Sequence, residues 1–151
     1  MLSLARAVHV LGVLWWVGGV AMVTATILPA LRSAGLSDAE RQRIFRTIRG
    51  RFVWQARAAV LLVGASGAYL LAYLGGIARL RAATAGWWID LMLFTWAVFA
   101  LLLFVLEPLG LMQKTGIARK PRAFLLMHAV LLVLALVTVG SGVMWAHGGF
   151  Y

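Results

Sequence analysis

Charged residues divide the chain into four long apolar runs. Arg6 and Arg32 bracket 25 residues without an Asp, Glu, Lys or Arg, and Arg57 and Arg79 bracket 21. The stretch from Ala82 to Leu106 carries Asp90 as its one charge, and none follows Arg122. A helix needs about 20 predominantly apolar residues to cross a bilayer, and in lipid the backbone must satisfy its own hydrogen bonds. The runs therefore predict four transmembrane helices, near residues 4–28, 53–75, 86–107 and 123–147. Short connections make consecutive helices antiparallel. The expected fold is an all-α, up-down bundle of four transmembrane helices, with residues 1–151 forming a single transmembrane domain. The first run exceeds the apolar core of a signal peptide. It ends in Leu28-Pro29-Ala30-Leu31-Arg32, which reads as a helix stop and not as a cleavage site.

The polar islands between the runs add detail. Ser37-Asp38-Ala39-Glu40 matches a capping box. Ile44, Phe45, Ile48 and Phe52 then recur at helical spacing with arginines between them. This pattern predicts a short basic amphipathic helix in the first loop, lying on the inner leaflet with its arginines on anionic head groups. The first loop carries six basic residues (Arg32, Arg41, Arg43, Arg46, Arg49, Arg51) and the third four (Lys114, Arg119, Lys120, Arg122). The opposite side has three, Arg6, Arg79 and Arg81. The positive-inside rule then places the first and third loops in the cytoplasm and both termini outside.

Composition supports a membrane class. Hydrophobic residues make up 64% of the chain and charged residues 12%, with a mean hydropathy of +0.96. Soluble domains average about 45–50% and 25%. The net charge of +10 therefore belongs to loops and not to a nucleic-acid-binding surface. With no cysteine, disulfides and thiolate ligands are excluded. Helix contacts in lipid rely on small residues. Candidates are Gly64 to Ala68 in the second span, Gly142 and Ala146 in the fourth, and Ala5, Gly12, Gly18 and Gly19 in the first. Trp54, Trp87, Trp88 and Trp145 fall where aromatic belts form, whereas Trp15, Trp16 and Trp96 lie deeper and predict core packing.

Ionisable residues within spans are costly, and so are candidates for function. His9, Asp90 and His147 form an outer group, with Met144 three residues before His147 on the same face. Imidazole and thioether suit copper, thioether favouring Cu(I), which makes His9, His147 and Met144 candidate metal ligands. Gln55, Arg57, Glu107 and His128 form an inner group. Glu107 is the carboxylate at the depth of Arg57, so the two predict an ion pair tying two helices together. His9 and His128 are candidate axial ligands for haem b, although they fall on opposite sides of the midplane. No Walker loop, nucleophile elbow, HExxH or EF-hand pattern occurs. A homo-oligomer or a membrane-protein partner remains open.

The segment from His9 to Gly19 (HVLGVLWWVGG), followed by Pro29, resembles the opening helix of CopD-like membrane proteins, the copper-resistance protein D family and its small relatives. Arg51-Phe-Val-Trp-Gln-Ala-Arg57 and Ser66-Gly67 are similar to the next helix of those proteins, and Leu106-Glu107-Pro108 and His128 continue the match over nearly the whole chain. The resemblance implies a four-helix protein of the bacterial inner membrane with a link to copper uptake or handling. A second, architectural resemblance is to four-helix membrane cytochromes of b type, which implies electron transfer through histidine-ligated haem. A cofactor-free accessory protein is the third expectation.

Overall fold

A computed structural model describes residues 1–78, 86–111 and 121–148, with the side chains of Asp38 and Pro121 outside that description. Four helices build the fold among these residues. Helix α1 runs Leu2–Ser33, α2 Asp38–Tyr73, α3 Trp87–Leu106 and α4 Pro121–Ala146. All four are long and apolar enough to cross a membrane. Cross-helix contacts show the up-down order. His9 meets Ser66, while Gly19 meets Phe52, so α1 and α2 are antiparallel. Trp88 stacks on Trp145 and Thr95 bonds Thr138, so α3 and α4 are antiparallel as well. The first and last described residues therefore share one end of the bundle, and the arginine-rich segment lies at the other. Of the residues that set the expected orientation, Arg79, Arg81, Lys114, Arg119 and Lys120 lie outside the described residues.

The amphipathic segment is helical, but it is not a separate helix lying on the membrane. It forms about the first two-fifths of α2, which runs 36 residues without a break, or about 54 Å. No proline interrupts the run, and Gly50 alone does not stop a helix. Part of the segment's apolar face is covered by protein, while Ile44 stays exposed. Phe45 packs edge-on against Phe124 of α4 with ring centroids 5.2 Å apart. Phe52 lies against Gly19 of α1. The capping box forms at Ser37: its hydroxyl accepts the Glu40 N–H at 3.3 Å, and its own N–H donates to the Glu40 carboxylate at 3.0 Å. Ser37→Ala is expected to cost about 1 kcal/mol. Thermal unfolding in detergent would register this as a small shift with the fold retained.

Aromatic residues mark the membrane height. On α2, Trp54 is 72% exposed and Tyr73 60%. They are nineteen positions apart, about 28 Å of helix, close to the hydrocarbon thickness of about 30 Å. At about 54 Å, α2 is longer than that layer, so with Trp54 and Tyr73 at its edges the part before Trp54 is the projecting part.

Glycines allow the close approaches. A side chain at Gly12 would meet Val63, and one at Gly67 would meet the His9 ring. Gly64 is the tightest of the α2 contacts. A Cβ there would lie 2.8 Å from the Trp96 ring. The missing side chain lets that indole donate its N–H to the Val60 carbonyl at 3.0 Å. The core sits beside this contact, with Trp16, Val60 and Phe99 buried and Trp16 edge-on to Phe99 at 4.6 Å. Between α3 and α4 the layers run Trp88 with Trp145, Met92 with Gly142, and Thr95 with Thr138. The Thr138 hydroxyl donates to Leu134, so Thr95 donates to Thr138, and this buried polar pair is satisfied.

Trp88 and Trp145 stack on each other with centroids 4.2 Å apart, and Trp88 is buried, beside Leu71 and Leu74 at the Tyr73 end of α2. One expectation about tryptophan needs correction. Trp15 does not fill the core. It is 48% exposed, because its neighbour Trp16 occupies the inward face of α1.

Candidate functional site

Two helix irregularities shape the arginine end. In α3, residues Leu102–Leu106 form a π-turn, and the Glu107 N–H closes on Leu102. The carbonyl of Leu103 then has no ordinary backbone donor. Its α-helical partner would be the Glu107 N–H, which is used, and its π partner would be residue 108, a proline without an N–H. In α1, Val23–Ile27 form a second π-turn, with the Leu28 N–H on Val23 and Pro29 following. Thr24 donates its hydroxyl to Val20 one turn back, a bond that helps bend the helix.

Arg57 fills the vacancy in α3. Its Nε donates to the Leu103 carbonyl at 3.1 Å, and its Nη2 reaches Glu107 Oε2 at 2.7 Å. A bond from a charged donor contributes about 1.5–3 kcal/mol, so α2 and α3 are joined at this point through both backbone and side chain. The structure adds a residue that sequence reasoning placed in a loop. Arg49 Nη2 lies 3.1 Å from Glu107 Oε1. Two guanidinium groups thus share one carboxylate, each on its own oxygen. The arginine and glutamate side chains are 19–23% exposed. Arg57 also lies 5.5 Å from the Trp54 ring and 5.9 Å from the Phe104 ring. A cavity of about 30 Å³ lies nearby, between the π-turn of α1 and the projecting part of α2, with Arg49 and Phe52 in its lining.

His128 does not join this cluster. Its Nδ1 lies 2.9 Å from the Phe124 carbonyl of its own helix, and its ring packs on that phenylalanine at 4.2 Å. Gln55 faces α1, next to Gly19.

His9 lies towards the opposite end, wedged between α1 and α2. Its Nδ1 is 3.0 Å from the Ser66 hydroxyl oxygen. That hydroxyl directs its hydrogen at the Leu62 carbonyl, 2.6 Å away. The Ser66 oxygen is therefore the acceptor, and His9 carries its proton on Nδ1. In the neutral ring this leaves the lone pair on Nε2 for another partner, the arrangement of a metal-binding imidazole. His147 and Met144 lie on the exposed end of α4, where the His147 Nδ1 meets its own Val143 carbonyl at 2.9 Å. They are not gathered around His9. Among the described residues no group of three or more His, Cys, Asp and Glu is placed to hold a metal ion.

The pairs along the bundle also set the heights of the histidines. Ser66 is three residues from the Val63 layer, near Trp96, whereas the α3–α4 pairs carry His128 to about the level of residue 106. The axial offset between His9 and His128 is about 15 Å. One haem does not bridge them within a chain.

Compared with protein-family models, curated proteins and solved structures, the chain matches none.

Proposed function

We propose that this chain is a CopD-like protein of the bacterial inner membrane that passes copper near its outer face, with His9 as its principal ligand. One observation carries the reading: His9 is held by its Nδ1 on Ser66, which leaves Nε2 as a donor atom within the membrane-spanning part of the bundle. Histidine at such depth is costly unless it is used. Imidazole suits copper, and the thioether of Met144 at the same end favours Cu(I). A site with one fixed ligand suits passage better than storage, because an ion must leave as readily as it enters. Met144 and His147 would supply the next ligands outward. In this reading the arginine-rich end of α1 and α2 faces the cytoplasm, and its charges meet the anionic inner leaflet.

The test is metal analysis of the purified full chain after incubation with Cu(I) under reducing conditions. About one copper per chain is expected for the wild type, and none for His9→Ala. Copper retained by His9→Ala would end the reading. Absorption spectra of the same sample, oxidised and reduced, test the b-type cytochrome. Sharp reduced α and β bands would replace copper with haem.

The His9–Ser66 bond also favours a second reading, in which it fastens α1 to α2 in a cofactor-free accessory membrane protein. There His9→Ala lowers stability by about 1 kcal/mol, the scale of an interhelical hydrogen bond in lipid, and the wild type holds neither copper nor haem.

A further inference from the structure

At the arginine end, two guanidinium groups of α2 meet one carboxylate at the end of α3. Arg49 and Arg57 share the carboxylate of Glu107. The other three acidic residues are remote from Arg57. Asp38 and Glu40 lie in the first turn of α2, at least 17 residues before it, or about 25 Å. Asp90 is in the first turn of α3, at the opposite end of the bundle. Among the described residues Glu107 is thus the one carboxylate beside Arg57, at the boundary of the hydrocarbon layer.

Arg57 is also only partly used. Nε serves Leu103 and Nη2 serves Glu107, but both hydrogens of Nη1 meet no acceptor among the described residues. The guanidinium is near two rings that face outward, Trp54 at 72% exposure and Phe104 at 39%. At this height, which Trp54 marks as the membrane interface, the lipid supplies acceptors for Nη1. The abundant anion at that height is the lipid phosphate. Guanidinium matches phosphate geometry through paired N–H donors.

We propose that this arginine cluster is a binding site for an anionic phospholipid. Arg57 Nη1 donates to the lipid phosphate, the shared positive charge of Arg49 and Arg57 selects a headgroup without an ammonium, and an acyl chain lies against Trp54 and Phe104. The site is separate from His9 and stands whether or not copper binds.

Native mass spectrometry of the full chain, delipidated in detergent, tests this with phosphatidylglycerol and phosphatidylcholine at equal concentration. The wild type is expected to retain one phosphatidylglycerol with about a fivefold preference, the scale of one unit of charge at a membrane surface. Arg57→Gln is expected to remove the preference. Trp54→Ala leaves the ion pairs intact, since its ring faces outward, and is expected to weaken retention severalfold in a folded protein. Equal retention of both lipids by the wild type would overturn the site. So would unchanged retention in Trp54→Ala, which would place the lipid away from Trp54. Inorganic phosphate at millimolar concentration displacing the lipid would show a free-anion site and overturn it as well.

Discussion

Glu107→Leu is expected to destabilise the bundle by about 2–4 kcal/mol. Removing one partner of a buried ion pair costs about 3–5 kcal/mol, because the remaining charge loses its compensation. The lower figure here reflects the partial exposure of Arg49, Arg57 and Glu107. The loss should be larger than for a single arginine, since Glu107 serves two. The decisive comparison is the combined Arg49→Leu, Arg57→Leu, Glu107→Leu chain, in which no charge is stranded. Thermal unfolding in detergent should show it recovering at least half of the loss. If Glu107→Leu alone unfolds with the wild type, the cluster does not tie α2 to α3.

Gly64→Leu is expected to be of similar severity, about 3 kcal/mol or more, through overpacking. The Trp96 ring stands 2.8 Å from where a Cβ would be. It cannot swing aside without giving up its bond to Val60 and its place against the core. Gly142→Ala provides the contrast. Its neighbour is the terminal methyl of Met92, a flexible end that can turn away. Gly142→Ala should therefore stay within about 1 kcal/mol of the wild type. A Gly64→Ala chain that matches it in unfolding temperature would show that Trp96 is not held as described. Trp96→Leu placed beside Gly64→Leu should recover part of the loss.

The spans were legible because charge is expelled from lipid, so a count of Lys, Arg, Asp and Glu along the chain finds them. The antiparallel bundle followed from the short connections. Arg57 with Glu107 was legible for the same reason: one arginine and one carboxylate share a depth. Arg49 was missed because the segment before Phe52 was read as a helix lying flat, whereas α2 runs straight through it. Ser66 was missed as the partner of His9, yet a signal existed. His9 is seven residues after the start of α1 and Ser66 seven before the end of α2, so an antiparallel pair places them level. The π-turns were not legible from periodicity. Each shifts the helix register, so the spacing of Ala5, Gly12 and Gly19 on α1 does not continue past Val23. Pro29 was visible but read as a helix stop, and Pro108 was visible but not as the cause of a freed carbonyl.

The unbroken course of α2 makes it a lever. No joint lies between Ser37 and Tyr73, so a tilt imposed at the arginine-bearing end is not absorbed along the way. Over the roughly 42 Å from Asp38 to Ser66, a tilt of about 5° displaces Ser66 by about 3.7 Å. That exceeds the length of the hydrogen bond between Ser66 and His9 at 3.0 Å. A load on the projecting arginines can therefore be felt at His9 without any rearrangement inside the helix that connects them.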